Sequence, residues 1–273
     1  MRMGKLMSVS DRPAAEEGNA VIVETSLDDD SRIATVKFRR GRYNYFNVEL
    51  LSTLADTFEN LGTQGCRAIV LTSSGRHFCA GADFTSNDPS PPGAPSSPIY
   101  DVVPRLFAQP VPVVAAIGGA AIGGGLGLAL VADFRVASPQ TRFAANFARL
   151  GIRQGFALSL TLPRLVGLQR ASELLYTGRT VHGDEALAMG LCDRLMEAEH
   201  LERGATELAQ AIASSAPLAV AAIRRALRGD LSRQVRATLD DEWTDQTALK
   251  LTADFREGVV ASKERREPVF RGE

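Results

Sequence analysis

The sequence predicts an α/β fold in which a mostly parallel sheet is wrapped by crossover helices and followed by a helical appendage. Three observations lead there. Short β-branched runs alternate with helical periodicities from residue 21 to residue 137; residues 106–132 carry no charge and are broken by prolines and glycines; beyond Gly155 strand signals nearly vanish while helical spacing continues. Alternation of this kind buries parallel strands beneath helices.

Taken in order, residues 1–20 carry Arg2 and Lys5, then Asp11, Arg12, Pro13, Glu16 and Glu17 where a signal peptide needs an unbroken apolar run. A mobile tail is expected. Residues 21–26 and 33–38 read as a hairpin around Asp28-Asp29-Asp30. Asn47 is placed to cap a helix over residues 48–61, where Leu50, Leu51, Leu54, Phe58 and Leu61 recur at helical spacing. Residues 68–72 form a short buried strand, and residues 87–97, all Pro, Gly, Ser, Ala, Asn and Asp, a flexible surface loop. A helix over 99–107, a strand over 111–117, a helix over 124–132 and a strand over 134–137 follow. The uncharged stretch 106–132 has the length to cross a bilayer of about 30 Å, but Pro110, Pro112 and six glycines interrupt it. It reads as buried strand, glycine turn and buried helix. Helices are predicted over 171–176, 183–189, 201–214, 218–227 and 231–251. The division is thus a tail over 1–20, a core over 21–200 and a helical region over 201–273.

Composition narrows the function. Hydrophobic residues make up 45% and charged residues 23%, which suits a globular chain with a sizeable core. With 31 basic against 32 acidic residues the formal charge is −1, so no global field draws the chain to nucleic acid or to an anionic membrane. Cys66, Cys79 and Cys192 are widely separated and form no CxxC, which fits neither a disulfide framework nor a zinc site. A reducing, cytoplasmic setting and no bound metal are expected.

Chemistry is expected where backbone amides are forced open. Gly118-Gly119-Ala120-Ala121-Ile122-Gly123-Gly124-Gly125 follows a buried strand and opens a helix, so unpaired N–H groups converge there and the missing side chains let a ligand approach the main chain. A phosphate or a developing oxyanion fits equally well. The dinucleotide fingerprint fails, because Leu128 falls at its third small position and Asp133 comes too early. No Lys-Ser/Thr follows the glycines as a P-loop requires, and the chain has no G-x-S-x-G nucleophile elbow.

Phe78-Cys79-Ala80-Gly81-Ala82-Asp83-Phe84, followed by Pro112-Val113-Val114-Ala115-Ala116-Ile117 and the glycine segment, strongly resembles the enoyl-CoA hydratase/isomerase (crotonase) superfamily. Leu175-Tyr176-Thr177-Gly178-Arg179, residues 186–191 and Asp254-Phe255-Arg256-Glu257-Gly258 extend the resemblance over nearly the whole chain. It implies a spiral of ββα units with a C-terminal helical trimerisation region, assembled as a homotrimer or a dimer of trimers. It also implies an acyl-CoA substrate as in fatty acid metabolism, with coenzyme A as part of the substrate and no tightly bound cofactor. In such enzymes two backbone N–H groups form an oxyanion hole on the thioester carbonyl, and the matching positions here are Ala82 and Gly124. Ala80, Gly81, Asp83, Phe84 and Gly123 complete the implied substrate-binding segments. Arg39, Arg40 and Arg42 precede the first long helix, in the loop that the resemblance implies flanks the nucleotide, where cations are needed for phosphates.

The chain departs from the family where the hydratases place two glutamates that hold and protonate water. Gly127 stands at the first position and Phe147 at the second. Glycine at 127 is expected to leave space for a bulkier acyl group or a water, and Phe147 to line the pocket with apolar surface. Asn146, Arg149, Arg153 and Gln154 surround the second position, and Tyr100 and Asp101 are candidates to close over a ligand. Asp83 and Asp133 read as loop and helix-end residues, His77, His182 and His200 as isolated surface or capping residues, and Cys79 as a small buried hydrophobe. Three readings follow: a hydratase/isomerase-like lyase with an enolate held by Ala82 and Gly124; a crotonase-fold hydrolase, C–C lyase or decarboxylase; and a catalytically silent CoA-binding assembly protein.

Overall fold

The computed structural model describes residues 19–83 and 96–273, so the expected tail falls outside the described residues but for its last two positions, as do Phe84 and most of the loop over 87–97. Strands β1 (Ile22–Leu27) and β2 (Ile33–Arg39) pair antiparallel from Ile22↔Arg39 to Leu27↔Ala34, with Ser31 N–H donating to Asp28 Oδ1 across the turn. Helix α1 (Val48–Thr63) follows, its first turn closed by Leu50 N–H donating to Asn47 Oδ1 at 2.9 Å. Its leucine face packs into the core, so the predicted cap and stripe both stand.

After α1 come strand β3 (Ala68–Ser73), helix α2 (Pro98–Ala108), and strands β4 (Val113–Ile117) and β5 (Ala120–Ile122). Helix α3 (Gly124–Ala129) leads to strands β6 (Phe134–Ala137) and β7 (Arg142–Ala144). The uncharged stretch therefore holds the expected strand, turn and buried helix, with a second short strand, β5, between turn and helix. Among the described residues no single helix is long and apolar enough to cross a membrane.

Helices α4 (Leu158–Val166) and α5 (Leu168–Thr177), strand β8 (Thr180–His182), helix α6 (Gly183–Met189) and strand β9 (Arg194–Leu195) complete the sheets. The main sheet runs β1-β2-β3-β4-β6-β9, parallel after its first pair. A second sheet, β5-β7-β8, was not anticipated: its strands are three residues long, below the length at which an alternating pattern declares itself.

Alternation along the main sheet sorts the interior into two cores. Ala34, Val36, Phe38, Ile69, Leu71 and Val113 face α1 and the large core. Ile33, Ala68, Val70, Val114, Ala116 and Val136 face the other way, where helix α7 (Leu201–Ala213) covers them with Leu201, Ala205 and Ala209. Helix α8 (Pro217–Arg228) buries no residue of its own, whereas α9 (Leu231–Leu249) packs along α2, and α10 (Ala253–Glu264) lies against residues 148–150. Helices α4 and α10 were missed: α4 is a nine-residue helix broken by Pro163, which masks the stripe of Leu158, Leu162 and Val166 that it buries, and α10 has only Gly258 and Ala261 buried and so shows no apolar stripe.

Candidate active site

The two glycine-rich segments lie side by side. Cys79 bridges Ala121 in parallel, with Cys79 N–H donating to Ala120 O and Ile122 N–H to Cys79 O, both at 3.0 Å. On its other flank the same segment bridges Phe46, through Phe46 N–H to Gly81 O at 2.9 Å and Asp83 N–H to Phe46 O at 3.0 Å. Residues 79–83 are thus clamped between β5 and Phe46. Gly81 adopts φ +111, and a Cβ there would stand 3.2 Å from Ile122 O and 3.8 Å from Gly124 N. The positive φ is what calls for glycine at 81, and the 3.8 Å contact sets its backbone beside that of Gly124. Among the described residues neither the Ala82 nor the Gly124 N–H donates to a protein acceptor.

Arg40 sits differently from the rim position expected of it. It is 7% exposed; its Nη2 pairs with Asp83 Oδ2 at 2.8 Å and its Nη1 donates to Tyr45 O at 2.9 Å. A buried guanidinium with a carboxylate and a carbonyl fixes the loop next to Ala82. Arg39 and Arg42 are exposed, and the Arg42 guanidinium lies 5.4 Å from the centre of the Tyr43 ring, which stacks on His77 at 5.9 Å. His77 is itself buried, not a surface group, and burial lowers its pKa.

Gly127 leaves no space, contrary to expectation. A Cβ at 127 would stand 2.5, 2.6 and 2.7 Å from Cβ, Cγ and Cδ1 of Phe156. At Gly124 a Cβ would stand 2.6 Å from Phe46 Cζ and 3.8 Å from Phe156 Cδ2. The Phe46 and Phe156 rings meet edge to face at 5.4 Å, and each residue is 2% exposed. The half-buried Phe147 brings its Cζ to 3.7 Å from where a Gly123 Cβ would be, with Asn146 Oδ1 at 3.2 Å. The wall beside the two amides is therefore mostly aromatic carbon, with Asn146 Oδ1 as a polar atom next to Gly123.

Phe156 is held by an unusual turn. Phe156 and Ala157 have φ +61 and +56, consecutive left-handed residues with side chains, each of which costs energy. Glu242, on α9, clamps the turn: Ala157 N–H donates to its Oε2 at 2.8 Å, and Ser159 Oγ and N–H to its Oε1 at 2.5 and 3.3 Å. Burial pushes the Glu242 carboxyl up to about 7 against the opposing pull of these donors and of Arg153. The folded chain therefore holds this proton more tightly than the unfolded one, whose carboxyl titrates near 4.5. The resulting stability is complete below the unfolded value and is lost as pH rises through about 7. The unfolding free energy of wild type minus that of Glu242→Gln should fall by about 3 kcal/mol from pH 4 to pH 8, read by denaturant titration; a difference independent of pH would contradict this.

Tyr100 is buried rather than poised over a ligand, and Asp101 is exposed and held in a surface ion pair. The Tyr100 hydroxyl donates to Gln246 Oε1 at 2.9 Å, and Asp101 pairs with Arg236 at 3.0 Å. Asp133 accepts from Val113 N–H and pairs with Arg224 and Arg228, which ties β4 to α8 away from the glycine turn. Arg149 pairs with Glu267, and Arg153 with Asp245. Burial pushes the Cys79 thiol up to about 12, as befits a small buried hydrophobe. Phe46, Phe156 and Glu242 were not singled out from the sequence. A glycine inside a helix was the available signal, since it sacrifices about 1 kcal/mol relative to alanine and implies something packed against it.

A family model described as enoyl-CoA hydratase/isomerase matches residues 28–273. An enoyl-CoA isomerase/hydratase of Mycosarcoma maydis is 34% identical over 210 residues, 76% of this chain and 77% of that protein. The 1,2-epoxyphenylacetyl-CoA isomerase of Escherichia coli (strain K12) is 31% identical over 242 residues, 86% of this chain and 92% of the relative. Among solved structures, an enoyl-CoA hydratase/isomerase from Pseudoalteromonas atlantica T6c superposes with a TM-score of 0.80 at 32% identity, covering 91% of this chain and 99% of that one.

Proposed function

From the premise that the chain belongs to the enoyl-CoA hydratase/isomerase family, we propose that it acts on an acyl-CoA thioester whose carbonyl oxygen accepts hydrogen bonds from the Ala82 and Gly124 amides. One observation carries this reading: two N–H groups on adjoining backbones, neither with an acceptor among the described residues. Negative charge grows on the thioester oxygen when an enolate forms, and donors already fixed in place stabilise it without reorganising, each worth a factor of about 100–1,000 in rate. Coenzyme A enters as part of the substrate. A trimer or a dimer of trimers in the cytoplasm belongs to the same proposal.

Gly127 and Phe147 supply no acid or base, and the neighbouring wall is Phe46 and Phe156. Addition of water between two glutamates is thereby disfavoured. Enolate-forming reactions in which the substrate supplies the electrons fit better: when a 2-carboxyacyl-CoA loses carbon dioxide, the electron pair of the broken C–C bond moves into the enolate and its charge onto the thioester oxygen, and a solvent proton then reaches Cα. The test is turnover of crotonyl-CoA, 2-carboxyacyl-CoA and 3-oxoacyl-CoA thioesters beside calorimetric binding of each. Turnover of a carboxyacyl or oxoacyl thioester with little hydration of crotonyl-CoA is the expected result. Binding without turnover would favour a silent CoA binder, and no binding of any thioester would overturn the proposal.

A further inference from the structure

We propose that Phe156, held in its strained turn by Glu242, sets the length of the acyl group and restricts the site to short chains. This rests on the acyl-CoA reading above. Gly124 and Gly127 are three residues apart in α3 and share one face of it. Along that face the Phe156 side chain lies where a residue-127 side chain would begin, and its ring reaches the Gly124 position beside Phe46. A chain leaving a thioester carbonyl on the Gly124 amide can extend along this face only if the Phe156 ring gives way. Three features keep the ring there: Phe46 packs against it, α3 has no side chain at 124 or 127 to lever it out, and Glu242 fastens the amides of Ala157 and Ser159 immediately behind it. Glu242 thus acts as a positioning residue, reaching the pocket through the turn it caps.

The experiment is calorimetric binding of CoA, butyryl-CoA, hexanoyl-CoA and octanoyl-CoA to wild type, Phe156→Leu, Phe156→Ala and Glu242→Gln, each first checked for cooperative thermal unfolding. Each methylene that finds apolar room strengthens binding about fourfold. Wild type should gain from added methylenes up to butyryl-CoA and lose beyond it. Phe156→Ala should move the octanoyl-to-butyryl affinity ratio by about tenfold or more toward octanoyl, with CoA affinity unchanged, and Phe156→Leu should move it less. Phe156→Leu keeps the test alive should the alanine variant not fold. Glu242→Gln should shift the ratio the same way by a smaller factor, a readout that a merely structural role would leave untouched. Folded Phe156 variants that retain the wild-type ratio would overturn this inference while leaving the thioester reading intact. Absence of binding by every acyl-CoA to wild type would instead overturn the thioester reading and this inference with it.

Discussion

Gly127→Glu does not yield a hydratase; it yields a chain that fails to fold stably. The family-like glutamate would begin with a Cβ 2.5 Å from Phe156 Cβ, an atom fixed by a buried turn and not by a yielding side-chain end. Overpacking of this kind costs about 1–3 kcal/mol and at times more, and burying an unpaired carboxylate against Phe156 adds several further. Against a total stability of about 5–15 kcal/mol, the sum removes most of the margin. Gly127→Ala isolates the first part and should lower the melting temperature by about 5 °C or more. A Gly127→Glu chain that melts like wild type and hydrates crotonyl-CoA would show that Phe156 is free to leave and that the site is an ordinary hydratase short of one side chain.

Ala82→Pro should reduce kcat/KM by a factor of about 100–1,000 while leaving the fold intact, because it deletes one N–H that no acceptor among the described residues uses. The clamps around it survive: Phe46 N–H still reaches Gly81 O and Asp83 N–H still reaches Phe46 O. The matching change at Gly124 is less informative, since any Cβ there meets the Phe46 ring at 2.6 Å and confounds a lost donor with a steric clash. Thermal unfolding close to that of wild type, with turnover lost, is the expected pairing for Ala82→Pro.

Much of this architecture was legible in the chain. The β-branched runs flanking Asp28-Asp29-Asp30 became an antiparallel hairpin, Asn47 became the cap of α1, and the two segments built of Ala and Gly came together as neighbours. Those features are local or periodic, so spacing along the chain reports them. What escaped depends on contacts between distant residues. Arg40 in a surface-like loop gives no hint that Asp83 will bury it. Gly127 seen alone implies empty room, and only tertiary packing brings Phe156, on a left-handed turn that no pattern of phenylalanine and alanine foretells, into that room. Glu242 lies in a helix dense with polar residues, where one buried carboxylate cannot be told from its solvated neighbours until Ala157 and Ser159 are seen against it.

The measurement closest to the central claim is the infrared carbonyl stretch of an isotope-labelled thioester bound to wild type and to Ala82→Pro. Two amides polarising one oxygen should lower the frequency on binding to wild type, and loss of the Ala82 donor should return part of that shift at saturating ligand. A thioester that binds wild type with its carbonyl frequency unmoved, or moved equally in both proteins, would contradict the account.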